Sequence, residues 1–567
     1  MTATTPLRQL LRSKSGKLWE VCIGLEVHAQ VLSQSKLMSG SAASTSSVAL
    51  PNRNVSFFDA ALPGTLPVVN RECVHQAIRT SLAVGATVHP RSIFERKHYF
   101  YCDLPLGYQL TQQRAPIATD GVLHFDLPAA AIVNEAEDSS EESAATFDGS
   151  KYKTRKEKNE ALRKWKAQQQ AKKAKNADNI VPRHVRIARI QIEQDSGKSI
   201  HDLEDDHTLV DLNRAGTALM EIVMEPDLRS PVEAGQVMKQ LQHLLRHLGV
   251  CDGNMEEGSM RCDLNVSVRQ ADDAEAPFGE RVEVKNMNSI RNMMRAAEYE
   301  ARRQIEHVES HGTQVQRETR SFDAVTGETK RMRSKEGAKD YRFFPEPDLP
   351  PLVVNHETID ALRVQLPELP DALKERLSTT YGLTSYESSV LVNEPGAAAY
   401  FEEVASVSAR PAKVVVNWIL NELFSHLKNS NTEIAESPVS TTALGELIDL
   451  IVDGTISGKI AKDVLEILFY ENLQALADGT RLQTPLEIVE ARNWKQIQDE
   501  GEIRKLCQAV LDDPSAQKNL EAYRKGKTQL FGFFIGQVMK ACDGRVHPER
   551  ANQIMQQLLH ERATEEP

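Results

Sequence analysis

The sequence predicts an α+β protein: a sheet-rich first domain followed by two all-α regions, a helical middle and a helical tail. Three observations predict it. Period-two runs punctuated by Gly, Pro and Asn recur from residue 19 to about 355. Beyond that point apolar residues fall at helical spacing almost to the C-terminus. Finally, 567 residues are too many for one core, so the chain should divide into about two to four domains. The expected divisions are a short N-terminal stretch (1–19), a sheet domain (20–355) interrupted by a charged insertion at about 133–182, a helical domain (356–440) and a helical tail (441–567).

Composition narrows the class. An apolar share of 40% with 26% charged residues is that of a globular protein in water, and no apolar run approaches the length of about 20 residues that a bilayer span needs. The seven cysteines, Cys22, Cys73, Cys102, Cys251, Cys262, Cys507 and Cys542, are scattered without a C-x-x-C pair. They read as reduced thiols and argue against a disulfide framework or a cysteine-rich zinc site. A formal charge of −12 opposes bulk attraction to a polyanion, so any nucleic-acid contact must be local.

The first nineteen residues carry Arg8, Arg12, Lys14 and Lys17 with no acid before Glu20, and Leu7, Leu10 and Leu11 among them. That reads either as a short transit-peptide pattern or as an ordinary frayed terminus. A strand follows from Trp19 to Val31. Val21, Ile23, Leu25, Val27, Ala29 and Val31 point one way, and Glu20, Cys22, Gly24, Glu26, His28 and Gln30 the other. Glu26 and His28 share the polar face roughly 6.6 Å apart, within reach of one divalent ion; a half-buried strand with a solvated side is the plain alternative.

The acidic run Glu135–Glu142 and the Lys-, Arg- and Gln-dense run Lys151–Lys175 cannot bury a core and mark the insertion. Its basic half could touch nucleic acid, although a solvated charge run is the default. Alternation returns at Arg189–Asp195, where Ile190 and Ile192 oppose Arg189, Gln191, Glu193 and Asp195. In Ala218–Met224 both faces are apolar except at Glu221, and an acid in a doubly buried strand must be paired, protonated or metal-bound. A buried pair with Arg214 or Arg261 is the structural alternative. The next strands oppose Cys262, Leu264, Val266 and Val268 to Arg261, Asp263, Asn265, Ser267 and Arg269, and place Glu283 and Lys285 on one side. Charge of both signs on one sheet face suits magnesium with a triphosphate: hard oxygens for the ion, Arg and Lys for the phosphates.

After Asn288 a helix is expected through Ile290, Met293, Met294, Ala297, Ala301, Ile305 and Val308, capped by Asn288 or Ser289. The stiff stretch Pro345–Leu352 marks the exit from the first domain. Later helices run through Val414, Trp418, Leu420 and Leu423, from a Thr442 cap through Leu444, Leu447, Ile448 and Ile451, and from Pro548 to about Arg562. Arg524, Lys525 and Lys527 precede an apolar, glycine-spaced helix and form a candidate phosphate-backbone patch. Other motifs fail. Gly454–Ala461 is one residue short of a phosphate loop and reads as a turn into a helix, His307–His311 has its glutamate misplaced for a zinc protease, and no nucleophile elbow occurs.

Several ordered segments resemble one family. IGLEVHAQV (Ile23–Val31), LPGTLPVVN (Leu62–Asn70), YFYCDLPLGYQLTQ (Tyr99–Gln112), DSGKS (Asp195–Ser199), LVDLNRAGTALMEIVMEPDLRSP, MEEGSMRCDLNVSVR, EVKNMNS and DYRFFPEPDLPPL are similar to the GatB family, the B subunits of aspartyl/glutamyl-tRNA(Asn/Gln) amidotransferases. The resemblance runs from about Val21 to the C-terminus apart from the insertion. It implies an ATP-dependent carbon-nitrogen ligase: ATP phosphorylates the side-chain carboxylate of glutamate mischarged on tRNA(Gln), and ammonia from a glutaminase partner displaces the phosphate. It also implies a cradle-like first domain, ATP and Mg2+ as cofactors, two partner chains (the amidase, or glutaminase, and a small third chain of the same complex), and a helical tail on the outer corner of the tRNA.

Carried over by motif, Glu26, His28 and Glu221 are implied as metal ligands, with Glu193 in the catalytic set. Gln194 stands where the family has the second Glu of a Glu-Glu-Asp triplet and would offer a neutral carbonyl. Arg261, Asp263 and Lys285 are implied as nucleotide or acceptor contacts, and Arg524, Lys525 and Lys527 fall in the tRNA-binding tail. The segments SGSAASTSS and NVSFFDAALPG lack the cysteines of the zinc knuckle found in some relatives, so no zinc is expected; Leu106 stands where a lysine is common. Two other readings remain: a non-catalytic tRNA-binding scaffold, and an ATP-dependent amide ligase for a small acid. The sequence does not choose between Glu-tRNA(Gln) and Asp-tRNA(Asn). The insertion and basic N-terminus point to the mitochondrial matrix, with plastid or bacterial cytoplasm as alternatives.

Overall fold

The computed structural model describes residues 10–43, 50–128, 180–200, 207–272, 275–334, 341–407, 410–497, 499–524, 528–542, 545–546 and 548–564. The charged insertion lies almost wholly outside the described residues, as do residues 1–9 and Lys525 and Lys527 of the basic patch. The chain divides into two compact units, Met1–Pro370 and Asp371–Pro567.

The first unit is built from β1 (Leu10–Arg12), β2 (Leu18–Gln30), β3 (Thr87–Val88), β4 (Arg91–Ser92), β5 (Glu95–His98), β6 (Tyr108–Thr111), β7 (Ala118–Pro128) and β8 (Ile180–Gln194). After these come β9 (Lys198–Ile200), β10 (Leu209–Asp211), β11 (Ala218–Met224), β12 (Met260–Gln270), β13 (Val282–Met287), β14 (Glu318–Asp323), β15 (Glu328–Ser334), β16 (Phe344–Pro345) and β17 (Leu352–Val353). Ten of them form one sheet in the order β15-β14-β13-β12-β2-β11-β8-β7-β3, with β1 also paired to β2. A separate three-stranded sheet runs β16-β5-β6. Residues 10–12 are therefore no frayed end: Leu10 pairs with Glu20 and Arg12 with Leu18 in an antiparallel ladder.

The alternation along β2 divides its residues between two environments. Val21, Ile23, Leu25, Val27 and Ala29 join Met220, Ile222, Ile190, Ile192, Cys262, Leu264 and Val266 in one buried cluster. Three helices help to cover that face: α1 (Arg71–Ala83), α2 (Pro231–His247) and α3 (Ile290–His311). Helix α2 begins with Pro231 at its first position, where a missing N–H costs nothing, and Ser230 Oγ accepts from Glu233 N at 3.1 Å. Helix α3 begins after Ser289, the second of the two expected caps, and ends at Gly312, whose φ of 67° only glycine adopts cheaply. The core continues past the proline-rich segment: Ile359 and Leu362 of the helix His356–Val364 belong to it.

The second unit is helical throughout its described residues, with one core spanning Leu373 to Val489 and another spanning Ile503 to Leu559. The helix Thr441–Val452 is capped by Ser440, whose Oγ accepts from Ala443 N at 3.1 Å; the expected cap at Thr442 is corrected by two residues. In the run Ser440-Thr441-Thr442 all three side chains suit a cap, and only the first has extended backbone, with ψ 160°. Gly454–Ala461 is a turn leading into the helix Gly458–Asp478, capped by Ser457. The final helix runs from Pro548 to Thr564.

Candidate functional site

The face of the large sheet opposite α2 and α3 carries its chemistry, and the strand register places each group. Across the ladders, Glu221 faces His28 on one side and Gln191 on the other; His28 faces Arg261 in turn, and Glu26 faces Asp263. Asn265 faces Glu283 one strand further out. Because every strand alternates, Gln191, Glu193, Glu221, His28, Glu26, Arg261, Asp263, Asn265, Glu283 and Lys285 share this face.

At the centre, one donor atom from each of His28, Glu193 and Glu221 lies within 4.8 Å of the others. His28 Nε2 is 3.4 Å from Glu193 Oε1. Glu221 Oε2 accepts from Gln191 Nε2 at 2.5 Å, and Thr111 Oγ1 donates to Glu193 Oε2 at 3.3 Å. Burial first, and then the neighbouring Glu193 carboxylate, push the Glu221 carboxyl above its ordinary range. Burial holds the His28 imidazole below its usual range, so its ring is neutral at pH 7 and has a lone pair to give.

These groups fit a bound divalent cation. Two buried carboxylates side by side are short of positive charge, and His28 Nδ1 is buried with no hydrogen-bond partner. Two carboxylates and a neutral imidazole are donors that such an ion accepts. Glu26 stands two residues along β2, where it accepts from Asn265 Nδ2 at 2.9 Å, beside the three-residue cluster rather than in it. Gln194 is not brought to this site. Alternation turns it away from Glu193 to the face of Ala218, and its carbonyl oxygen accepts from Gln109 Nε2 at 2.6 Å.

The cations around the cluster are pinned. Arg261 makes a bidentate contact to Asp195, at 3.0 and 3.2 Å, and Arg214 Nε is 3.4 Å from the same carboxylate. Both arginines weighed as partners of Glu221 therefore serve Asp195, which leaves Glu221 to His28 and Gln191. Burial would raise the Asp195 carboxyl, but the Arg261 and Arg214 guanidinium charges outweigh it and hold the group below the usual carboxylate range. Lys285 Nζ donates to Asp263 at 2.7 Å and lies 2.9 Å from Glu283 Oε1; against the pull of burial, these acids raise its ammonium above the ordinary range. Asp263 also accepts from Asn286 N at 2.8 Å, and Asn286 sits at φ 58°.

Three contributors escaped the sequence reading. Lys97 of β5 acts electrostatically on both His28 and Glu221, Thr111 of β6 bonds Glu193, and Tyr99 Oη donates to Gln109 Oε1 at 3.2 Å. All come from the small sheet and its turn, whose partner β16 lies about 250 residues downstream; the segment Tyr99–Gln112 stood out as family-like, but its contacts with the site depend on long-range pairing that no local pattern gives. Gln191 was legible as a member of the polar face and acquires a role only through its bond to Glu221. Arg524 ends the helix Gln517–Arg524, while Lys525 and Lys527 lie outside the described residues.

Comparison with known proteins agrees with this picture. The family model for the GatB/GatE catalytic domain matches residues 21–360, and that for the GatB domain matches residues 399–559. The chain is 73% identical over 575 residues, covering 99% of its own length and 98% of the relative, to the B subunit of the mitochondrial glutamyl-tRNA(Gln) amidotransferase of Phytophthora infestans. It is 47% identical to the B subunit of the aspartyl/glutamyl-tRNA(Asn/Gln) amidotransferase of Acidiphilium cryptum, over 96% of this chain and 97% of that one.

Proposed function

The chain belongs to the GatB family of tRNA amidotransferase subunits, and from that premise we propose that its first unit phosphorylates and amidates the side chain of glutamate mischarged on tRNA(Gln). The observation that carries this reading is the cluster of His28, Glu193 and Glu221 on the sheet face that also presents Arg261 and Lys285.

The reaction has two steps. A carboxylate oxygen of the substrate glutamate attacks the γ-phosphorus of ATP and ADP leaves; ammonia then attacks the acyl carbon, and phosphate leaves with the oxygen. Mg2+ would be held by His28, Glu193 and Glu221, with Glu26 next in line, and when bound it supplies charge neutralisation at the phosphate oxygens. The neutral His28 ring competes with no proton for its lone pair, and Gln191 and Thr111 orient the two carboxylates. Arg261 and Lys285, fixed by Asp195 and by Asp263 with Glu283, are the cations available to the phosphates without reorganisation. A sheet face offering fixed charges suits phosphoryl transfer, where positioning and electrostatics do most of the work.

The relative's printed name supports Glu-tRNA(Gln) as substrate and the mitochondrion as the compartment, and we place this chain in the matrix. Among the described residues no helix is long and apolar enough to cross a membrane. One subunit of a multi-subunit amidotransferase works with the others and with tRNA. We assign as its partners the amidase (glutaminase) chain and the small third chain of the complex, and as the tRNA-binding part the tail after about residue 440, with Arg524, Lys525 and Lys527 on phosphates.

The test is γ-phosphate release by the reconstituted complex with Glu-tRNA(Gln), uncharged tRNA or free glutamate. Release should need the charged tRNA and vanish in Glu221→Ala while the complex stays assembled. Equal release by the variant would move the chemistry to a partner chain and leave this one a scaffold. Removing the tail should raise the KM for charged tRNA and spare glutamine hydrolysis.

A further inference from the structure

At the small sheet β16-β5-β6 a cavity of about 760 Å³ is walled by aromatic rings, among them Tyr99, Phe100, Tyr101, Tyr341 and Phe344. Its rings are unusually bare: Phe100 is 85% exposed, Tyr101 56% and Phe344 41%. Scattered surface aromatics need no reason, but three in one basin are a contiguous apolar platform.

The platform is held in place. His98 N donates to Tyr341 O at 2.9 Å, and Phe344 pairs with Arg96 across the β16–β5 ladder. The His98 ring stacks on Phe344 at 5.0 Å and 25°, while Tyr99 meets Tyr101 and Tyr341 edge-on at 5.9 and 6.5 Å. Phe100 rests against Gly107, where an added Cβ would lie 3.0 Å from its Cε1, and φ there is +71°. Cations border the rings: Lys97 Nζ is 5.4 Å from the centre of Tyr341, and Arg342 lines the cavity.

One wall leads to the cluster. Tyr99 Oη donates to Gln109 Oε1, and Gln109 Nε2 donates to the carbonyl of Gln194, the residue after Glu193. Lys97, over the Tyr341 ring, lies on β5 next to His98, which lines the basin. The stacking basin is thus joined, through Tyr99 and Gln109, to the strand β8 that carries Glu193.

We propose that the aromatic basin seats the terminal base of the tRNA acceptor strand, so that the amino acid esterified to that nucleotide extends into the His28–Glu193–Glu221 cluster. The proposal rests on the amidotransferase reading above and adds a binding subsite to it. An open platform favours the end of an RNA over the purine of free ATP. A small nucleotide gains affinity by burying most of its surface, whereas an unpaired base whose strand is held elsewhere needs only a ring to stack on and a cation near its phosphate. Lys97 and Arg342 supply that charge in a chain whose net charge of −12 gives no general attraction.

The experiment uses the reconstituted complex with Phe100→Ala, Tyr101→Ala and Phe100→Tyr. Stacking is worth about 1–3 kcal/mol per base, so Phe100→Ala should raise the KM for Glu-tRNA(Gln) about 5- to 150-fold with the KM for ATP within about twofold of wild type, and Phe100→Tyr should restore it. A tRNA ending in 2-aminopurine should be quenched on binding the wild-type complex and stay bright with Phe100→Ala. A rise in the KM for ATP with no change for tRNA would make the basin an adenine pocket and overturn the proposal, as would an unmoved KM for both. If wild type itself released no phosphate with Glu-tRNA(Gln), the amidotransferase reading would fall; if wild type turned over and Phe100→Ala matched it, only the basin assignment would.

Discussion

Glu221→Gln separates stability from metal binding at one atom. The amide is isosteric and still accepts from Gln191 Nε2, which lies 2.5 Å from the carboxyl it replaces. It also removes a buried carboxyl that burial and the Glu193 charge push above its ordinary range. Metal-free stability should therefore stay within about 1 kcal/mol of wild type. Metal affinity should fall, because one of the three donors that meet within 4.8 Å becomes a neutral amide. Changing a group that merely orients a ligand costs about 10–100-fold, so altering a ligand itself should cost about 100-fold or more. At a metal concentration of about 100 Kd, wild type gains about 2.7 kcal/mol and the variant about 0.4 kcal/mol. The difference of about 2.3 kcal/mol corresponds to about 5 °C at about 2 °C per kcal/mol for a large domain. Differential scanning fluorimetry of the full chain with and without Mg2+ reads both terms. A variant whose magnesium-induced shift equals that of wild type would refute the assignment of Glu221, and a metal-free variant that loses several degrees would refute the claim that its charge is not structural.

Other consequences follow from the packing. Lys36 and Asp59 are both fully buried with Nζ 3.2 Å from Oδ2, so Lys36→Met should cost about 3–5 kcal/mol in urea unfolding and Lys36→Met/Asp59→Leu should recover most of it. The Asp195 carboxyl is held below its ordinary value of 3.8, so the stability it contributes is present above that value and lost as pH falls through the folded one. Arg261→Gln removes the larger of its two guanidinium partners, and acid unfolding followed by circular dichroism should move to higher pH; an unmoved midpoint would contradict the pairing. Ser440→Ala should cost about 1 kcal/mol through the lost cap, while Thr442→Ala should stay within about 0.5 kcal/mol, and the reverse order in chemical denaturation would restore Thr442 as the cap.

What the sequence could disclose was set by range. Along β2, β8 and β12 the period of two separates a helix-packed face from a polar one and put Glu26 with His28, Gln191 with Glu193, and Arg261 with Asp263 before any pairing was known, whereas Glu221 stood out as the one acid in a strand apolar on both faces. The partners of each charge were not legible, because register decides them. Arg261 stands opposite His28 yet reaches Asp195, and Glu221 lies between His28 and Gln191 rather than against an arginine. Gln194, read as a ligand from its place as the second residue of a family triplet, faces away from Glu193 for a related reason: a strand gives a shared face to alternate residues only. Lys97, Thr111 and the aromatic basin depend on Phe344 and Pro345 pairing with Arg96 and Glu95, a closure across most of the first unit that short-range patterns do not encode.

The thirteen residues of β2 write two messages in one string. Odd-numbered positions from Val21 to Ala29 hold the helix-packed core together, and even-numbered ones, among them Glu26 and His28, carry the reactive face. Substitution at one set leaves the other where it was. Insertion or deletion of a single residue before Glu26 would exchange the sets, driving a carboxylate and an imidazole into the helix-packed layer and turning valines and leucines toward the substrate. Evolution of this strand should thus proceed by replacement and never by change of length, while the surface loops around it remain free to grow.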